Sequence, residues 1–306
     1  MRHYILRRLL YFLPTLLAIY AIAFFLMHAA PGSPFVQEKS LPPEVLEARR
    51  AEFYLDRPLL EQFARYGWDL LTLRGHSSIQ YPNRNVIRDI LVPAFPVSLS
   101  LGVLALAVAV VVGTAAGVVS AARPRSLADH LAMAGAMIGV SQPSFVIASL
   151  LVAVFAFTLR WLPVGGWGTP SQMVLPALAL AALPAATIAR LVRTGMLDVL
   201  SADFIRTARA KGLRECSVLF DHALPSAWLP VLGYLGPAAA SIFTGSFVVE
   251  KIFASPGVGT HFVDSALHRD HPLILATVLL YAVLLVVFNL AVDIGYAWLD
   301  PRIRYD

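Results

Sequence analysis

Apolar residues run along this chain in long blocks, and polar or charged residues collect in the gaps between them. A membrane-spanning helix needs about 20 largely apolar residues. Six blocks reach that length: Leu9–His28, Pro96–Ala121, Leu131–Thr158, Met173–Leu191, Leu229–Val249 and Leu273–Trp298. Prolines 14, 143, 176, 184 and 237 fall inside several of them. In lipid such breaks persist when neighbouring helices satisfy the freed carbonyls, so the pattern predicts a packed, kinked bundle. The first block has a basic start, as a signal peptide does, but its apolar run exceeds the usual length of such a leader. It is read as a retained span.

The polar gaps are unequal. The longest runs from Pro31 to about Phe95. There Pro42-Pro43-Glu44 opens a helix, with Ser40 or Leu41 just outside it. Asp56-Arg57-Pro58 interrupts, and Leu59, Phe63, Tyr66, Leu70 and Leu73 then recur at helical spacing. Such a stripe is expected to pack on the spans, and a connection this long has its own structure and task. The most highly charged short gap runs from Ile205 to Pro225. It holds Arg206, Arg209, Lys211 and Arg214, a central Gly212 and a closing His222-Ala223-Leu224-Pro225. Residues 203–213 are helix-compatible and Gly212 ends that helix. Residues 217–224 restart as a second short helix, which Pro225 limits. The result is a rigid hairpin projecting from the bundle. Its plain alternative is a basic loop that only sets topology.

Basic residues near span ends orient the bundle. Arg2, Arg7 and Arg8 precede the first span, Arg123 and Arg125 separate the second from the third, and Arg302 and Arg304 follow the sixth. These regions and the 203–225 loop fall on one side, which places both termini in the cytoplasm. Trp161 and Trp167 lie in the nearly neutral third-to-fourth loop, where interfacial aromatics are expected.

Composition agrees with a membrane protein: 58% of the 306 residues are hydrophobic and 14% charged, against roughly a quarter charged in soluble domains. The net charge of +5 is not arranged as a nucleic-acid-binding stripe. The single cysteine, Cys216, excludes an internal disulfide and is read as an inert small side chain. None of the three lysines, Lys39, Lys211 and Lys251, follows a glycine-rich phosphate loop. His268 and His271 have the helical spacing of a metal pair, but solvated loop histidines are the simpler reading, and no metal site is assigned. Asp293, with Asn289 one turn earlier, is read as a structural polar pair in the last span. Gly113–Gly117 and Gly135–Gly139 have the spacing of close helix contacts. The chain carries no evident energy source and no catalytic residues, so a motor on another subunit is expected.

Arg206-Thr207-Ala208, then Gly212, then nine residues before His222-Ala223-Leu224-Pro225, resembles the "EAA" loop of ABC importer membrane subunits. RTARAKG followed by HAL is the form common in the peptide-transport branch. Other segments agree: Ala30-Pro31-Gly32-Ser33-Pro34-Phe35, Leu41-Pro42-Pro43-Glu44-Val45, the outer-loop pattern Glu250, Phe253, Pro256, Gly257 and Gly259, and the closing Asp300-Pro301-Arg302-Ile303-Arg304-Tyr305. The resemblance runs nearly end to end and is to the first permease subunit of oligopeptide importers.

It implies an all-α integral membrane protein with six transmembrane helices of the type I ABC importer permease fold, in a bacterial inner membrane. Residues 1–30 would be the cytoplasmic start and first helix, 31–95 an extracytoplasmic region, and 96–306 a five-helix permease core containing the 203–225 coupling loop. The implied partners are a homologous second permease subunit, two cytoplasmic ATP-binding subunits, an extracytoplasmic peptide-binding protein, the peptide and the lipid bilayer, with no nucleic acid. ATP and Mg would reside on the ATPase subunits, and this chain would bind no cofactor. Arg206, Thr207, Ala208, Arg209, Lys211, Gly212, His222, Leu224 and Pro225 would form the ATPase-coupling loop. Two positions depart from the wider pattern: Arg206 replaces the Glu of the general "EAA" motif, and Arg74–Ser78 lacks the acidic Asp-Phe-Gly or Asp-Leu-Gly run of related proteins. Nickel, a metal chelate, haem or glutathione as cargo stays open within the family, and a self-sufficient channel or proton-coupled transporter stands outside it.

Overall fold

The computed structural model describes residues 2–31, 34–35 and 42–299, and the side chains of these except 2–9, 244–245 and 291–299. Asp300–Tyr305, part of the Pro31–Phe35 segment, Leu41 and the Asp293 side chain therefore lie outside the described residues. The described chain is helical, with one isolated antiparallel bridge between Ser77 and Asn85. The described residues form two compact units: those up to 97 with 257–286, and 98–256 with 287–299.

The first unit joins α1 (Arg2–Ala29), α2 (Pro43–Glu52), α3 (Leu59–Leu71), α11 (Val258–His268) and the start of α12 (His271–Leu299). Both outer helices start on proline, which fixes the backbone where no intrahelical N–H bond is needed: Pro43 is the first helical residue of α2 and Pro58 the N-cap of α3. The predicted stripe on α3 packs as expected in its middle. Phe63, Tyr66 and Leu70 meet Tyr20 and Phe24 of α1 and Leu275 of α12. Its ends do not, since Leu59 and Leu73 are exposed. Tyr66 donates its hydroxyl to the Phe53 carbonyl. Burial pushes the Tyr66 phenol pKa up, so it remains a donor. Asp270 precedes α12 and is fully buried. Its carboxylate accepts from Ser78 Oγ, from Gln80 N–H at 3.0 Å and from Leu273 N–H at 3.2 Å, pinning the 78–80 turn to the helix start. That anchoring lies beside the Arg74–Ser78 departure.

The second unit is built on α7 (Pro170–Leu200), whose buried residues run from Leu175 to Met196. Around it lie the latter part of α4 (Val86–Ala122), α5 (Leu127–Ser141), α6 (Ser144–Thr158) and α10 (Leu229–Ile252). Four helices are long and apolar enough to cross a membrane, and two bent pairs bring the total to six when each is one span. The third span is thus not one continuous helix: α5 and α6 meet at an angle of 116°. Of the prolines flagged in the apolar blocks, Pro143 alone breaks its helix, because Gln142 before it is forced into an extended conformation (ψ 134°). Pro14, Pro176, Pro184 and Pro237 all lie inside continuous helices.

The small-residue spacing has a physical use on α4. A Cβ on Gly113 would sit 2.6 Å from the Ala185 carbonyl oxygen, and one on Gly117 2.7 Å from that of Ala189 and 2.6 Å from Val192 Cβ. The α7 backbone therefore lies directly against the α4 glycines. Gly139 makes a similar approach to Ala182, but Gly135 has nothing within 4 Å. Gly117→Ala is expected to cost about 1–3 kcal/mol through forced helix separation. Gly135→Ala is expected to be neutral or stabilising by about 0.5–1 kcal/mol. Melting midpoints of the two variants in detergent check this, and equal midpoints would contradict it.

Candidate functional site

The 203–225 segment folds as a helical hairpin of the second unit. α8 (Asp203–Ala210) ends at Lys211, and Gly212 takes φ +76°. The Gly212 N–H donates to the Arg209 carbonyl at 3.0 Å and the Leu213 N–H to the Ala208 carbonyl at 3.4 Å. This paired closure is the Schellman arrangement, which satisfies the last carbonyls of a helix and needs a left-handed residue, normally glycine. Arg209 grips the second arm, donating to both Glu215 carboxylate oxygens at 3.2 and 2.7 Å. These hydrogen bonds hold the Glu215 carboxyl below the usual carboxylate range. The pair is exposed, so its value lies in fixing geometry more than in stability.

The second arm differs from expectation. This helix, α9 (Glu215–Ala227), continues through Pro225. A π-helical turn over Val218–Ala223 makes this possible. Pro225 offers no N–H, and the wider turn lets the Leu224 N–H bond back to the Leu219 carbonyl before the proline. The chain then bends by 59° into α10. Trp228, at that bend, donates its indole N–H to Thr114 of α4 at 3.0 Å.

Each predicted loop residue has a definite place. Ala208 is buried with Ile205, Val218 and Ala223 in the same core as Val192 and Met196 of α7, and Leu224 packs against it. Thr207 Oγ1 donates to the Asp203 carbonyl at 3.0 Å, and Arg206 pairs with Asp203 at 3.3 Å while remaining exposed. His222 is half-buried, its Nδ1 lying 3.2 Å from the Ser217 carbonyl. Lys211, Gly212 and Pro225 are exposed. The anchored inner face leaves Phe204, Arg206, Leu213, Arg214 and Phe220 on the outer surface, a mix of apolar and basic groups. Cys216 is an exposed thiol on the second arm.

The Glu250–Gly259 pattern forms a turn between α10 and α11. Glu250 and Phe253 are fully buried. The Phe253 carbonyl accepts from Gly166 N–H at 2.7 Å, and a Cβ on Gly165 would lie 2.2 Å from that oxygen. Ser255 N–H returns to the Glu250 carbonyl at 2.9 Å, Pro256 follows, and Gly257 caps α11 in extended conformation, with Gly259 buried in its first turn. His271, read as a solvated loop residue, is instead buried, because it opens α12 against α1. His268 lies 2.8 Å through Nδ1 from the Asp264 carbonyl. Among the described residues no group of three metal-ligating side chains forms.

One cluster escaped the sequence reading. Arg193 of α7 reaches Asp129 at the start of α5 with two bonds of 2.8 and 2.9 Å. Ser120 of α4 donates to the same carboxylate, as does the Arg125 N–H at 2.8 Å. The clamp ties the α4–α5 connection to the helix that leads into the hairpin. Asp129 three residues after the capping Ser126 reads as an ordinary helix start, so only the fold reveals its partner. At the α5–α6 break, Ser141, Gln142, Ser144, Leu180, Pro184 and Ser241 line an open cavity of about 480 Å³.

Residues 109–305 match the family model for the binding-protein-dependent transport system inner membrane component. Residues 1–102 match the model for the N-terminal part of such membrane components. The chain is 46% identical over 307 residues to the oligopeptide transport system permease protein OppB of Haemophilus influenzae, covering 100% of both chains. It is 47% identical to the Salmonella typhimurium OppB over the same full coverage. Identity to the dipeptide transport system permease protein DppB of Bacillus subtilis is 43%, over 99% of this chain and 98% of that one. An inward-facing structure of the MetNI methionine ABC transporter aligns with a TM-score of 0.57 at 18% identity, over 69% of this chain and 96% of that chain. That likeness shows a shared helical fold.

Proposed function

The chain belongs to the inner-membrane components of binding-protein-dependent transport systems, and on that premise we propose that it is one of two paired permease subunits of an ATP-driven oligopeptide importer. It would form half of the pathway and break no bond of the cargo. Its partners would be a homologous permease subunit, two cytoplasmic ATPases that carry ATP and Mg, and an extracytoplasmic peptide-binding protein. Both termini and the 203–227 hairpin would face the cytoplasm, in line with the distribution of arginines near span ends.

The observation that carries this reading is the construction of the hairpin. Ile205, Ala208, Val218 and Ala223 are sunk into the core that surrounds α7, while Phe204, Leu213, Phe220 and two arginines stay outside. A loop that only sets topology needs positive charge alone. This one has a glycine-capped corner, a cross-arm Arg209–Glu215 pair and a buried root. Movement of a bound ATPase would therefore pass into α7 and α10 as a rigid displacement. The crevice at the α5–α6 break supports a pathway role for this unit, because irregular backbone and an amide within a span are tolerated where they line an aqueous cavity or are covered by protein.

Affinity purification of the tagged chain from its native membrane is expected to recover two ATPases and a second permease. The reconstituted assembly with its binding protein is expected to accumulate labelled oligopeptides only with ATP. Peptide flux driven by an ion gradient through the chain alone would overturn the reading.

A further inference from the structure

We propose that a cavity in the first unit binds the C-terminal carboxylate of the peptide in transit, using Arg50 and His271. The inference rests on the peptide-import reading above and specifies where one end of the substrate is held. The cavity, about 310 Å³, lies among the ends of α1, α2 and α3 and the first residue of α12. His28, Arg50, Gln62 and His271 supply its polar wall, and Phe35 and Leu55 part of its apolar wall. Its volume falls at the lower end of the roughly 300–1,000 Å³ of small-ligand sites.

The polar wall is built for an acceptor. His271 is 6% exposed, and its Nδ1 is enclosed without a hydrogen-bond partner among the described residues. Buried polar atoms are nearly always satisfied, so an enclosed and unmatched nitrogen lining a cavity points to a ligand group. His28 adds to the same polarity. Its Nδ1 lies 2.9 Å from the Phe24 carbonyl and its Nε2 3.0 Å from Gln62 Oε1. The Gln62 amide is fixed in this sense because its Nε2 donates to the Arg57 carbonyl at 2.8 Å. Both His28 nitrogens thus face acceptor oxygens. The same contacts occupy both His28 nitrogens, which argues against a metal pair with His271, whose ring lies 5.0 Å away.

No acid balances this wall among the described residues. Asp270, next to His271, is occupied by Ser78, Gln80 and Leu273. Arg50 is exposed and has no carboxylate partner among the described residues. A guanidinium fork and an imidazole N–H are the donors a carboxylate takes. Every linear peptide with a free end carries one, whatever its side chains, so such a site suits a carrier of varied sequences. In the proposed orientation the cavity lies on the extracytoplasmic side, where a binding protein releases its cargo.

The test uses the assembled transporter in liposomes with saturating binding protein, and compares uptake of trialanine with that of its C-terminal amide. The acid-to-amide ratio is divided by the ratio of the two peptides' affinities for the binding protein, so that protein's own preference cancels. The unaltered transporter is expected to retain a preference for the acid of roughly tenfold. Arg50→Gln, on an exposed side chain, and His271→Asn are each expected to bring the ratio near one, while Arg50→Lys keeps most of it. Unchanged ratios in both Arg50→Gln and His271→Asn would overturn the proposal. So would an equal loss of acid and amide uptake, which marks a role in docking the binding protein. If the unaltered assembly imports neither peptide with ATP, the import reading itself fails, and this proposal with it.

Discussion

Gly212→Pro is expected to leave the chain inserted and assembled with the proposed ATPase while reducing peptide uptake by about tenfold or more, with ATP hydrolysis continuing. Proline fixes φ near −65°, and position 212 requires +76°. The substitution also removes the N–H that bonds to the Arg209 carbonyl. The corner must then open, and Arg209 and Glu215 lose the relative position that lets them pair. The buried residues at the root, Ile205, Ala208, Val218 and Ala223, are not touched, so the spans are expected to remain packed. A graded series separates conformation from bulk. Nothing lies within 4 Å of a Cβ at this position, so Gly212→Ala carries only the left-handed backbone cost of about 1–2 kcal/mol. Asparagine, which tolerates that conformation, is expected to retain the most uptake. The order asparagine, alanine, proline in uptake per ATP hydrolysed is the checkable outcome. Normal coupling in a stably assembled proline variant would remove the hairpin from the transmission path.

Arg193→Ala is expected to lower the melting midpoint of the purified assembly by about 5 °C or more and to reduce uptake with it. The Asp129 carboxylate is nearly enclosed and would lose both guanidinium bonds, leaving Ser120 and one backbone N–H. Removing one member of such a pair costs more than the pair contributes, because the remaining charge stays out of water. Arg193→Lys keeps charge but not the planar fork and is expected to fall between the two. The double variant Arg193→Ala/Asp129→Asn is expected to be no less stable than Arg193→Ala alone. Additive losses in the double-mutant cycle would show that the two residues do not act as a unit. The clamp holds α4, α5 and α7 together a short distance before α7 enters the hairpin.

Much of the architecture was legible because the bilayer imposes simple demands. Long apolar blocks give helices, prolines at helix starts fix α2 and α3, and a glycine between two short polar helices marks the corner at 212. The spacing of the hairpin residues located two short helices and the corner between them. The misreadings have specific causes. Pro225 was taken as a limit to the second arm, but the π-helical turn before it accommodates the missing N–H. The apolar block Leu131–Thr158 did not reveal the size of its break: Gln142 before Pro143 leaves the helical region and the direction changes by 116°. His271 was taken as solvated because its neighbours in sequence are polar, but it opens α12 against His28 of α1 and is buried there.

What the sequence determined by itself was the class of the molecule, the set of apolar blocks, the arginines near their ends and the corner at Gly212. These follow from local chemistry: hydrophobic length, charge placement and the backbone freedom of one residue. Tertiary structure decided which side chains meet. Arg193 and Asp129 are 64 positions apart, Trp228 and Thr114 are 114 apart, and Asp270 and Ser78 are 192 apart. No periodicity encodes such pairs, because each depends on how helices already formed pack against one another. The same dependence makes Gly117 a contact and Gly135 an open surface, though both have the same spacing along the chain.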